Sequence, residues 1–144
     1  MADTQTYATH RKWVPLWHYV ALPIALLNIA VALRGLKNGV TFDNVWVVLI
    51  GIAFFATAYL SRSQALVVQN RLIRLEERLR LKEVLPAAMH AHIAQLTTSQ
   101  LIGLRFAPDA ELPGLVEACV GGQLANAEAV KKAIKGWRPD TLRA

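Results

Sequence analysis

Cysteine occurs once in the 144 residues, at Cys119, so no disulfide can close within the chain. It falls in the apolar stretch 115–120, where a thiol reads as buried and inert rather than nucleophilic. Metal ligands are equally scarce. His90 and His92 are two residues apart, which on a helix points them about 160° away from each other. Neither has a His, Cys or carboxylate three or four residues on, so the spacing excludes a local metal pair. No nucleophile-elbow pattern surrounds Ser99 or Cys119, and Gly121-Gly122 has no lysine-serine continuation that would cradle a phosphate. No internal repeat, low-complexity tract or alternating strand pattern outside the apolar runs is present. These absences leave no catalytic residue, cofactor, metal or small-molecule substrate to assign, and the chain is expected not to be an enzyme.

Charge is missing from two long stretches near the front. Residues 13–33 contain no Asp, Glu, Lys or Arg. Residues 45–60 are likewise uncharged, and apolar character resumes at 65–68. About 20 helical residues cross the roughly 30 Å hydrocarbon core of a bilayer, so each run is expected to span a membrane. The absence of carboxylates from both runs argues against a proton-coupled carrier. Arg11-Lys12 and Ala30-Val31-Ala32 resemble parts of a signal peptide. The apolar stretch is too long for one and tryptophans crowd its start, so the span is expected to be retained.

The net charge of +6 and pI near 9.9 invite a nucleic-acid reading. The positions of the cations point elsewhere. Arg11 and Lys12 precede the first run, and Arg62, Arg71, Arg74 and Arg78 follow the second, whereas the intervening loop offers Arg34 and Lys37. Cations at the outer ends of a hairpin place both termini in the cytoplasm. The segment 98–120 loosely resembles a helix-turn-helix, but its later helix carries Asp109, Glu111 and Glu117, which oppose phosphate. No nucleic-acid partner is expected.

Within the hairpin, Trp13, Trp17 and Tyr19 suit one headgroup layer, and Phe42 and Trp46 the other. Pro23 is interior to the first run and predicts a disturbed helix. His18 reads as an interfacial residue. Asn28 is expected to find an amide partner in the second span. Gly51, Ala53, Ala56, Thr57 and Ala58 supply small side chains for close approach of the two spans. Gly35 and Gly39 mark a turn, and Thr41 or Asp43 caps the next helix.

Residues 61–85 contain no Gly or Pro, so the second helix is expected to continue. Val68, Leu72, Leu75 and Leu79 fall within an arc of about 60° and are spaced 4, 3 and 4 apart, a heptad seam. Glu76 is expected to pair with Arg80, and Glu77 with Arg74 and Arg80. Arg71, Arg74, Arg78 and Lys82 form a basic stripe beside the seam, able to meet acidic lipid if the helix bends at Ser61-Arg62-Ser63 and lies on the membrane. Past Pro86, short helices are expected over 86–95, from Thr97 or Thr98, from Asp109 to Gly121-Gly122, and from Asn126 to a cap at Gly136. Trp137, Arg138 and Asp140 form an irregular tail able to dock a partner.

The whole order has a resemblance. It runs from Arg11-Lys12-Trp13-Val14-Pro15-Leu16-Trp17-His18-Tyr19 through residues 68–80 and 101–107 and Glu111-Leu112-Pro113. It closes on residues 131–140, Lys-Lys-Ala-Ile-Lys-Gly-Trp-Arg-Pro-Asp. It resembles a family of small bacterial two-span membrane proteins, a domain of unknown function. The resemblance implies a bacterial inner (cytoplasmic) membrane location and transfers no activity, cofactor or site.

The expected fold is all-α: a transmembrane helical hairpin, then a long amphipathic helix and a small bundle of short cytoplasmic helices. Residues 1–12 form a cytoplasmic tail, 13–62 the hairpin and 63–144 the cytoplasmic part. Membrane lipid is an expected partner, as is a protein partner or a homo-oligomer. The expected role is an accessory or adaptor subunit, with a lipid-reading membrane-surface regulator as the alternative. Val68, Leu72, Leu75, Leu79, Trp137, Arg138 and Asp140 are the partner-binding candidates. Arg71, Arg74, Arg78 and Lys82 are the lipid-binding ones.

Overall fold

A computed structural model describes residues 6–7 and 13–140, which form helices, turns and loops with no strand among them. Contacts divide the chain into two units, one within residues 12–66 and one within 67–144 that also takes Thr6 and Tyr7. The basic pair Arg11-Lys12 lies outside the described residues.

In the first unit, a π-helical turn at Leu16–Ala21 leads into α1 (Leu22–Gly35), and a 3-10 turn at Leu36–Asn38 leaves it. The wide turn sits directly ahead of Pro23. Proline lacks an N–H and its ring crowds the carbonyl four residues back, so the ladder shifts there to a longer reach, with Leu22 N–H donating to Trp17 O. His18 is satisfied locally: its Nδ1 lies 2.9 Å from Val14 O and accepts from Val14 N at 3.1 Å.

Gly39, at φ 140°, makes the turn that only glycine adopts freely. Asn44 Nδ2 donates to Gly39 O at 2.8 Å and closes that turn. The long helix α2 (Phe42–Val84) follows, with Thr41 Oγ1 rather than Asp43 accepting from Asn44 N at 3.3 Å. Phe42 and Trp46 stack at 6.1 Å. The continuous helix Leu16–Asn38 and α2 are both long and apolar enough to cross a membrane.

Trp17 Nε1 donates to Ala58 O at 3.0 Å and ties the two helices at one end. Gly51 lets them approach: a Cβ there would lie 2.8 Å from Asn28 Oδ1 and 3.3 Å from Ile29 Cγ1. Asn28 therefore meets α2 by packing over a glycine. No hydrogen bond forms at its amide among the described residues, contrary to the expected amide bridge.

Helix α2 has no break at Ser61-Arg62-Ser63. Ser61 and Ser63 donate their hydroxyls to Ala58 O at 2.8 Å and Leu60 O at 3.2 Å, so they serve the helix instead of interrupting it. Pro86 ends the element. A 3-10 turn at Ala87–Met89 and the one-turn α3 (His90–Ile93) fill the segment expected as a longer helix. Helix α4 (Thr98–Leu104) opens on a capping box in which Thr97 Oγ1 accepts from Gln100 N and Gln100 Oε1 accepts from Thr97 N.

Asp109 caps nothing. It begins a 3-10 turn, Asp109–Glu111, and α5 (Leu112–Val120) starts with Pro113 in its first turn. Gly122, at φ 79°, ends α5 in a Schellman motif: Gln123 N–H donates to Ala118 O at 2.9 Å and Gly122 N–H to Cys119 O at 3.2 Å. Asn126 Oδ1 accepts from Glu128 N and Ala129 N and opens α6 (Ala127–Ala133), which stops before Gly136. Tyr7 Oη donates to Glu128 Oε1 at 3.0 Å, bringing that N-terminal residue onto the same unit.

The core of this second unit gathers Leu81 and Leu85 of α2 with Ile93, Leu96, Leu101, Leu104, Leu112, Leu115, Val116, Cys119 and Val130. Each fully buried aliphatic side chain contributes about 1.5–3 kcal/mol. Burial also pushes the Cys119 thiol up to about 11, which leaves it protonated near neutral pH. The tightest crossing is α4 on α6 at Gly103, where a Cβ would lie 2.8 Å from Val130 Cβ and 3.0 Å from Ala127 O. Gly103→Ala is expected to destabilise the domain by about 1–3 kcal/mol, because backbone cannot move aside as a side-chain tip can. Gly114→Ala, with open space around it in α5, is expected to stabilise by up to about 1 kcal/mol. Chemical denaturation of the two variants in detergent checks the pair.

Candidate functional site

From Val67 onward, α2 has two different sides. One side is spent on the domain: Ile73, Glu77, Leu81 and Leu85, each four residues from the last, are all buried. The other side carries the heptad seam, which stays largely uncovered among the described residues, with Leu72 at the edge of the cavity beside the tail. Val68 is 64% exposed, Leu72 53%, Leu75 57% and Leu79 54%. At 100° per residue the two sets point roughly opposite ways. The fold thus leaves a straight row of large aliphatic side chains in contact with its surroundings.

The basic stripe lies beside this row. Arg71, Arg74 and Lys82 are exposed. Arg78 is half-buried, and its Nε is shielded with no hydrogen-bond partner. None of the four forms an ion pair among the described residues.

Where α2 meets the domain, the contact is charged as well as apolar. Arg80 spreads its fork over three groups. Its Nη1 donates to Glu77 Oε2 at 3.2 Å, its Nε to Asp109 Oδ1 at 2.9 Å, and its Nη2 to Ala107 O at 2.7 Å as well as to Asp109. The expected Glu76–Arg80 and Glu77–Arg74 pairs are replaced by this network, because a planar guanidinium satisfies several acceptors at once where one carboxylate would use only part of it.

The C-terminal tail lies along the same domain. Trp137 stacks on Phe106 at 4.6 Å, and Arg138 N–H donates to Phe106 O at 2.8 Å. Arg105 places its guanidinium 4.5 Å from the Phe106 ring centre, and its Nη1 lies 3.3 Å from Asp140 Oδ2. Both carboxylate oxygens of Glu111 accept backbone N–H groups, from Lys135 at 3.0 Å and Gly136 at 2.7 Å. A Cβ at Gly136 would come within 3.2 Å of Glu111 Oε1 and 3.3 Å of Pro108, so this glycine admits the carboxylate instead of capping a helix. Of the tail candidates, Trp137 and Asp140 are thus engaged with their own domain, while the Arg138 side chain is exposed.

Between α2 and the tail lies a cavity of about 610 Å³, whose charged lining includes Glu76, Glu77, Arg80, Arg105, Arg138 and Asp140. Three cations face three carboxylates, so the cavity has no strong net sign. Among the described residues no group of three His, Cys, Asp or Glu could hold a metal. Glu77, Arg80, Arg105 and Asp109 were not among the sequence candidates. The trace they leave in the sequence is a glutamate at the centre of the Ile73, Leu81, Leu85 face, where a charge is out of place unless something pairs it.

A family model matches residues 1–144. The chain belongs to the family of unknown function DUF6526. The comparisons found no match among curated proteins or solved structures. The family assignment covers the hairpin, the exposed seam and the tail alike, and carries no ligand or reaction with it.

Burial raises the Glu77 carboxyl above its usual range, outweighing the Arg80 guanidinium, which pulls it down by charge and hydrogen bond, with Arg138 and Arg105 adding to that pull. A raised folded-state affinity for the proton means the group's contribution to stability is full below its unfolded pKa near 4.5 and is lost as pH rises through the raised value. Glu77→Gln carries no such proton. Its stability relative to the native chain is expected to improve as pH rises from 4 through 7, measured by thermal unfolding in detergent at a series of pH values.

Proposed function

We propose that this chain is a non-enzymatic, two-span protein of the bacterial inner membrane, with both termini cytoplasmic. Its helical domain serves as an accessory or adaptor module that associates with protein through the free side of α2. One observation carries the reading: Val68, Leu72, Leu75 and Leu79 stay more than half exposed while the opposite side of the same helix is fully committed to a core. A row of aliphatic side chains left bare by its own fold is a docking edge. The membrane part of the reading is supported by two helices of spanning length and composition, and by the aromatic residues at their ends.

The alternative is a membrane-surface regulator whose Arg71, Arg74, Arg78 and Lys82 hold acidic lipid. In favour of it, three of the four cations are exposed. Against it stands the unbroken course of α2 through residues 61–63, since lipid contact by the stripe requires a bend there.

Leu72→Asp with Leu79→Asp tests the main reading, because neither side chain packs in the chain's own core. Loss of co-purifying protein or of self-association, with helicity and unfolding temperature unchanged, is the expected outcome. Unchanged association would remove the docking edge. Liposome flotation of the same chain reconstituted with and without acidic lipid separates the alternative: charge reversal of the stripe alters lipid enrichment around the protein only if the lipid reading holds.

A further inference from the structure

On the association reading above, a partner covers the exposed side of α2. We propose that it is a second copy of this chain, joined through α2 as a parallel, in-register two-stranded coiled coil. With Leu72 and Leu79 at a positions, Val68 and Leu75 fall at d. The flanking positions then follow by count. Arg71 and Arg78 are both g, and Glu76 and Glu83 are both e. In a parallel pair, each g residue meets the e residue five positions further along the other helix. Arg71 therefore meets Glu76 of the second copy, and Arg78 meets its Glu83, with twofold symmetry repeating both contacts. An antiparallel pair sets g against g and e against e, which here means Arg on Arg and Glu on Glu. The charges select the parallel arrangement and disfavour the other.

Three structural observations agree. First, the domain packs on the outer positions of the same heptads, through Ile73, Glu77, Arg80 and Leu81, and leaves a and d open. Second, the charges needed for pairing are unspent. Arg80 takes Glu77 and Asp109, so Glu76 enters no ion pair or hydrogen bond among the described residues, and Arg71 and Glu83 enter none either. Third, Arg78 enters no ion pair among the described residues, so the cation that would meet Glu83 of the second copy is also unspent. The seam is short and ends at Lys82, a cation at a d position. On the two-span reading this is enough, because two copies threaded through one bilayer in the same sense already share orientation and a high local concentration.

Cysteine cross-linking of the full chain in native membranes tests the pairing. Val68→Cys and Leu79→Cys are made singly and oxidised with copper phenanthroline. Native Cys119 is buried with its thiol held up, so it stays silent. Both variants are expected to link as dimers, since like residues on a parallel seam face one another at disulfide range, while Arg74→Cys on the outer surface is expected not to link. Linking at only one of positions 68 and 79 would overturn the parallel register. Arg71→Glu with Arg78→Glu is expected to lower Leu79→Cys self-linking about tenfold, as is Glu76→Arg with Glu83→Arg. Co-expressing the two sets with different tags is expected to restore links between unlike copies, and failure to do so would overturn the charge pairing. If neither cysteine links yet Leu72→Asp with Leu79→Asp still sheds a co-purifying protein, the second copy is overturned and the docking edge stands. If nothing links and nothing is shed, both readings fall.

Discussion

A helix has only one side to give to a single small domain, and α2 gives its Ile73, Glu77, Leu81, Leu85 side. The rest of the second unit is arranged around that contact. Helices α3 to α6 close over Leu81 and Leu85, and the turn at residues 107–109 is held to α2 by Arg80. Having spent one side, the helix cannot fold its own opposite side away. Val68, Leu72, Leu75 and Leu79 stay bare as a geometric consequence, and the chain carries that apolar cost as a feature of its folded state.

The charged groups at this contact show how a small domain compensates for a modest core. About 80 residues outside the hairpin can bury only a limited apolar area. Polar anchors take up part of the load: Arg80 reaches three acceptors, Glu111 holds two tail amides, and Arg105 sits between Phe106 and Asp140. Such groups add directionality that greasy contacts lack. They fix where α2 and the tail lie on the domain, at the cost of burying Glu77, whose raised proton affinity records that burial.

Local signals in the chain translated well into local structure. Asn126, Gly39 and the Gly121-Gly122 pair each act through a few neighbouring atoms, so composition and spacing predict them; of the two threonines the spacing offers as a cap, Thr97 takes the role, with Gln100 completing the capping box. The failures were of a different kind. Asp109 and Gly136 look like helix punctuation, yet Asp109 answers Arg80 from 29 residues away and Gly136 makes room for Glu111 from 25 residues away. Of the pairs that helix spacing offers, Glu77–Arg80 forms, whereas Glu76–Arg80 and Glu77–Arg74 give way to the reach of Arg80 toward Asp109 and Ala107.

By itself the sequence determined the all-helical class, the two apolar runs, the helical stretch ending at Pro86 and the 4-3-4 spacing of the seam within it, because these depend on hydrophobic periodicity and proline placement along one chain. Only the tertiary structure decided which side of α2 the domain takes, and hence that the heptad side is free. It also decided which charges are already paired and which are left over. Periodicity specifies that a helix has an apolar arc, whereas the occupant of that arc depends on contacts between residues distant in the chain.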